Sequence, residues 1–244
     1  MTQLSVNVNK VATLRNTRHS GIPSVLKAAE ICLDAGAHGI TVHPRPDQRH
    51  IRPSDVLDLA ELLRAHPGAE YNIEGNPFEG PYVELVRATR PAQCTLVPDD
   101  PSAFTSNQGW DLRRDGARLA PMIAELKALG CRVSLFLDAS PSMMPLAKAA
   151  GADRVELYTE PYADAFKRGR GEAGAAAFAD SARAAAEHGL GVNAGHDLAL
   201  DNLPLFLATV PGVAEVSIGH ALIAEALEVG YQAAVAAFLD VIRS

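Results

Sequence analysis

Three apolar runs in this chain end in histidine: Gly39-Ile40-Thr41-Val42-His43, Gly191-Val192-Asn193-Ala194-Gly195-His196 and Val216-Ser217-Ile218-Gly219-His220. The first runs on into Pro44-Arg45-Pro46-Asp47-Gln48-Arg49-His50, so two arginines and a second histidine follow His43 within seven positions. A buried strand fixes an imidazole at its end, and a basic loop beyond it supplies cations for an anionic ligand. Histidine changes charge near neutral pH, so such a set suits repeated proton transfer on a phosphorylated molecule.

The elements that would position these groups follow from the pattern. Apolar runs at residues 4–9, 39–43, 71–74, 93–97, 132–138, 154–158, 191–194 and 215–218 read as eight strands. They look apolar throughout rather than alternating, as parallel strands buried on both faces should. Helical patterns separate them at residues 24–35, 54–65, 82–89, 119–129, 143–150, 175–188, 203–209 and 221–242. Gly36, Gly130, Gly151 and Gly189 each stand where a helix ends and a strand begins. Eight such units in 244 residues predict an α/β chain folded as one (β/α)8 barrel domain. A doubly wound open sheet is the alternative, but it calls for a Gly-rich phosphate loop, and the chain has neither GxGxxG nor a Walker motif. Residues 98–116 and 160–174 read as long loops over the barrel mouth, the second carrying Lys167-Arg168-Gly169-Arg170. That run is either part of the cover or simply solvated, and Trp110 is expected to pack its loop.

In a barrel the C-terminal strand ends converge. The groups brought there are Asn7 and Asn9, His43, Glu74, Asp138, Glu156, His196 and His220. Arg18, Arg45 and His50 lie on loops where they could grip a phosphate, arginine through forked hydrogen bonds. Gly195 and Gly219 would let backbone N–H groups approach an anion after the last two strands. Asp138 and Glu156 are open to two readings, catalysts or buried partners of a barrel arginine. His19, His38, His66 and His188 read as surface or capping residues. His43, Glu74, His196 and His220 could also hold a metal, although HxH and HExxH spacings are absent.

Bulk properties narrow the classes. The net charge of −7 argues against nucleic acid or a membrane surface as partner, so an anionic substrate needs a local cationic cluster. No apolar run approaches a membrane span, and the first residues lack a signal-peptide pattern, so the expected location is cytoplasmic. Cys32, Cys94 and Cys131 are scattered without CxxC spacing and read as core residues.

These motifs, taken in order, give a resemblance. The chain resembles the pyridoxine 5′-phosphate synthase family over nearly its whole length. The matching blocks are Val6-Asn7, Ala12-Thr13-Leu14-Arg15-Asn16-Thr17-Arg18, residues 39–43, Arg49-His50-Ile51, Leu96-Val97-Pro98, Val133-Ser134-Leu135-Phe136, residues 193–196 and Ile218-Gly219-His220-Ala221. The resemblance implies a (β/α)8 barrel assembled as a homo-octamer. It implies condensation of 3-amino-2-oxopropyl phosphate with 1-deoxy-D-xylulose 5-phosphate, with no metal or organic cofactor. Carried over by position, Asn7, Arg18, Gly219 and His220 bind the first substrate, and Asp197 falls at a substrate-binding position. Asn9, Lys10, Arg45, His50 and Thr105 bind the second. His43 and Glu74 are proton acceptors and His196 is the proton donor.

The chain departs from the family in two places, which marks it as a divergent subgroup. Asn9-Lys10 replaces the usual Asp-His, keeping a cation and losing an anion. Asp197 replaces a frequent glycine and brings a carboxylate near an expected phosphate. Three other readings stay open: a paralogue with a changed second substrate, a metal-dependent barrel isomerase or hydrolase, and a non-catalytic phosphate-binding barrel.

Overall fold

The structure, a computed structural model, describes residues 1–99 and 106–244. Strands β1 (Gln3–Asn7), β2 (Gly39–Val42), β3 (Glu70–Gly75) and β4 (Gln93–Leu96) pair side by side in parallel. They continue through β5 (Arg132–Leu137), β6 (Arg154–Leu157), β7 (Gly191–Ala194) and β8 (Val213–Ile218), and β8 returns to β1. The result is a closed parallel (β/α)8 barrel. Around it lie α1 (Asn9–Asn16), α2 (Val25–Asp34), α3 (Pro53–Arg64), α4 (Tyr82–Thr89), α5 (Leu112–Ala128) and α6 (Met144–Ala150). The ring continues with α7 (Glu160–Lys167), α8 (Gly171–Glu187), α9 (Leu203–Thr209), α10 (His220–Val229) and α11 (Tyr231–Arg243).

The strands alternate more than the sequence reading expected. Their outward residues, such as Val6, Ile40, Ile73, Leu96, Val133 and Leu157, are buried in the apolar layer beneath the helices. Most of their inward residues are polar, and several are hydrogen-bonded to one another. Ser5 meets Thr41 at 2.7 Å, Asn72 Nδ2 donates to Thr41 at 3.3 Å, and Thr95 donates to Asn72 at 3.1 Å. Nearer the strand starts, Arg132 pairs with Glu70 and Arg154 with Glu215 at 3.2 Å. Gln93 and Asn193 complete that network. A barrel interior accepts polar side chains when each finds a partner across the staggered strands.

Several boundaries differ from the reading, and four of the differences have a clear local cause. The first strand stops at Asn7, and Asn9 starts α1, because Asn7 Oδ1 accepts the Asn9 N–H at 3.0 Å and turns the chain. Residues 160–174 are mostly helical: Tyr162 is fully buried against Phe166, Phe178 and Phe206, which makes α7 a packed element. Residues 112–116 belong to α5, whose start is capped by Asp111 accepting the Arg113 N–H. Gly230 at φ +86° breaks the expected final helix into α10 and α11. The four glycine joints do adopt positive φ. Trp110 packs as expected, its indole N–H donating to the Leu96 carbonyl at 2.9 Å.

Candidate active site

His43 stands one residue past β2, buried at the C-terminal mouth. Its backbone N–H donates to Asn9 Oδ1 at 3.0 Å, so the turn after β1 fixes the strand end. This contact gives Asn9 a structural task that either asparagine or aspartate could perform. Nδ1 of the ring lies 3.5 Å from Glu74 Oε2, and Asn7 Nδ2 donates to that same oxygen at 3.5 Å. Nε2 lies 2.7 Å from Asp99 Oδ2. Burial alone pushes the imidazolium down, but hydrogen bonding to Asp99 and Glu74 and the charges of both outweigh it, and the pKa rises to about 9.

Arg45, also buried, places Nη2 3.1 Å from the same Asp99 oxygen. His50 packs edge-on to His43 with ring centroids 6.3 Å apart. Burial, then the charges of His43, Arg45, Lys10 and Arg49, press its pKa down to about 3, so it is a neutral imidazole. Its Nδ1 accepts the Ile51 N–H at 2.9 Å, which fixes the tautomer. The loop is pinned from below: Asn16 and Arg15 both donate to the His50 carbonyl, and Arg15 forks onto Asp55 at the start of α3.

On the opposite side, His196 follows β7 and packs edge-on against Tyr158 and Phe136, with centroids 5.4 and 6.1 Å away. Burial among these rings lowers its pKa, and the carboxylates of Asp197, Glu74, Glu160 and Asp99 only partly offset that. Its carbonyl accepts the Thr159 hydroxyl at 2.5 Å. Asp197 is exposed at φ +60°, the left-handed region. That backbone explains why glycine is at home in this position. Gly195 has no room for a side chain: a Cβ would lie 2.9 Å from the Ser217 carbonyl and 3.1 Å from Glu156 Oε1. Gly219 similarly sits against the Asn7 side chain, and His220 begins α10 on the exposed rim.

The mouth therefore gathers Asn7, Asn9, His43, Arg45, His50, Glu74 and Gly219 through direct contacts, with Lys10 acting on His50 by charge and His196 facing Glu74 across it. Arg18 lies on the exposed stretch after α1. Thr105 falls outside the described residues. Asp138 accepts the Gly109 N–H at 3.3 Å, so it holds a loop. Among the described residues Glu156 has no arginine partner: the barrel arginines go to Glu70 and Glu215, and Glu156 Oε2 lacks a hydrogen bond. Burial first, then Glu74 and Glu215, hold that carboxyl well above the carboxylate range, so it is protonated. The residue that sequence reasoning missed is Asp99. Its signal was weak, one acid in Pro98-Asp99, and only the fold brings it to His43. Among the described residues no cluster of three histidine, cysteine or acidic side chains could hold a metal ion. A cavity of about 690 Å³ beside the mouth, between Pro98, Trp110 and Arg118, is lined by none of the acid–base groups.

A closed parallel barrel whose mouth holds a histidine–carboxylate set beside buried arginine is an acid–base enzyme of the (β/α)8 class. Residues 4–244 match the profile of the family described as pyridoxal phosphate biosynthesis protein PdxJ. The chain belongs to that family. It is 60% identical to pyridoxine 5′-phosphate synthase of Albidiferax ferrireducens, over 98% of this chain and 96% of that one. It is 59% identical to the synthase of Xanthomonas campestris pv. campestris, over 99% and 96%. Solved structures share the fold alone. Vibrio cholerae 3-keto-L-gulonate-6-phosphate decarboxylase has a TM-score of 0.63 at 12% identity, covering 99% of this chain and 98% of that one. Pyrococcus furiosus thiamine phosphate pyrophosphorylase has 0.61 at 14%, covering 99% and 95%.

Proposed function

We propose that the chain is a pyridoxine 5′-phosphate synthase that joins 3-amino-2-oxopropyl phosphate to 1-deoxy-D-xylulose 5-phosphate, releasing phosphate and water. The observation that carries this reading is the meeting of His43 and Glu74 with Arg45 and His50 at one barrel mouth. The amine of one substrate adds to the ketone of the other and loses water to an imine. Phosphate elimination and an aldol-type closure with loss of a second water then give the aromatic ring. Each step moves a proton, which His43 and Glu74 accept and His196 donates. Arg45, His50 and Lys10 receive the deoxyxylulose phosphate with Thr105, while Asn9 sets the turn beneath it. Asn7, Arg18, Gly219, His220 and the Asp197 N–H receive the aminooxopropyl phosphate. Juxtaposing two anionic substrates supplies a large further part of the rate.

The 244 residues act as one barrel domain, as a homo-oligomer of octameric order, in the cytoplasm, with no nucleic acid or membrane partner and no cofactor. No helix among the described residues is long and apolar enough to cross a membrane. The test is direct: mix the purified protein with both substrates, with no metal added, and follow pyridoxine 5′-phosphate. Product formation is expected. Folded protein that binds the aminooxopropyl phosphate yet makes no product points instead to a changed second substrate.

A further inference from the structure

We propose that Asp99 is a built-in competitor for the substrate's anionic group. Its carboxylate fills the cation site of His43 and Arg45 until a phosphate monoester displaces it. The proposal rests on the reading of this mouth as a substrate phosphate site.

One carboxylate oxygen, Asp99 Oδ2, bridges both cations, 2.7 Å from His43 Nε2 and 3.1 Å from Arg45 Nη2. All three side chains are buried, at 8%, 7% and 5% exposure. The cavity lined by His43, Arg45, Arg49, Asn76, Tyr82 and Asp99 holds only about 20 Å³. That is room for about one water, and a phosphate group cannot enter while the carboxylate stays. His43 is held by β2 and by Asn9, so it is the fixed member of the pair. Asp99 lies outside any regular element; Asn76 donates to its carbonyl at 3.2 Å, and Ser106 hydrogen-bonds its side chain. Rotation of its side chain, giving up the contacts to His43, Arg45 and Ser106, empties the site.

The charges facing His43 make this exchange matter for chemistry. Asp99 faces it from the segment after β4, Glu74 from β3, and Arg45 and His50 from its own loop, with Lys10 of α1 acting through His50. With Asp99 in place the imidazole carries its proton through neutral pH. A phosphate that replaces Asp99 there is itself an anion and keeps the imidazolium charged, so carboxylate and phosphate compete for the same pair of cations.

The experiment measures inorganic phosphate binding by calorimetry near neutral pH, and the pH profile of kcat/KM, for the wild type, Asp99→Asn, Asp99→Ser and Arg45→Ala. Removing the competing charge is expected to tighten phosphate binding about tenfold or more in both Asp99 variants. It should also move the acid limb of kcat/KM to lower pH, because that limb reports the free enzyme's base. Phosphate binding no tighter than wild type, or an unmoved acid limb, overturns the proposal. Arg45→Ala separates the layers. If it binds phosphate like the wild type, the site reading itself fails; if it loses phosphate while the Asp99 variants gain nothing, only the competitor role fails.

Discussion

At the scale of single residues, the mouth sets two histidines in opposite protonation states less than 7 Å apart. His43 is held protonated by carboxylates, and His50 is held neutral by burial and surrounding cations. Replacing His43 with alanine or Glu74 with glutamine should lower kcat about 10²–10⁴-fold, the usual worth of a positioned acid or base, with the fold intact by circular dichroism. Asp197 makes a different prediction. Its left-handed backbone suits glycine, so Asp197→Gly should stabilise by about 1 kcal/mol in urea denaturation. A β-branched residue there should destabilise.

Elements matter here through how they pin one another. The stretch from β2 to α3 carries Arg45 and His50 but forms no regular structure of its own. It is held by α1: Arg15 forks onto Asp55 and reaches the His50 carbonyl, and Asn16 reaches the same carbonyl. Arg15→Ala leaves Asp55 without its buried partner and should cost about 3 kcal/mol in chemical denaturation. Because the loop then loosens, KM for the substrate held by His50 should rise more than kcat falls. A structural ion pair remote from the mouth, such as exposed Arg87–Glu125, should show neither effect when broken.

For the whole molecule, the two histidines make stability depend on pH with opposite signs. The folded pKa of His43 is about 9 against an ordinary 6.5, so its contribution is full below pH 6.5 and is lost as pH rises toward 9. His50 titrates near 3 when folded, so its contribution is present above pH 6.5 and is lost as pH falls toward 3. Their sum favours a maximum in melting temperature near pH 6.5. His50→Gln should flatten the acid side of a calorimetric melting profile and leave the alkaline side in place. The polar network at the strand starts is the other molecular-scale device. Arg154→Ala takes the nearer cation from Glu215, which is 3% exposed and keeps only Gln93 and the more distant Arg132, and should cost about 3 kcal/mol.

Eight strands were legible in the chain because a buried strand followed by a glycine-capped helix leaves a local signature of apolar run, joint and amphipathic stretch. His43, Glu74 and His196 were legible as strand-end groups, since the barrel's geometry sends such positions to one mouth. Other features were decided by contacts that no local pattern records. The helix at 160–167 exists because Tyr162 finds Phe178 and Phe206 from distant segments. Glu156 is a protonated carboxyl rather than an arginine's partner because the staggered strands bring Arg154 to Glu215 instead. Asp99 belongs to the site only because β4 ends beside β2's histidine across the barrel mouth, and charge state follows from neighbours in space. Residue type and period thus set the elements and the candidate chemistry, and only closure of the barrel set which charges meet and which proton each histidine holds.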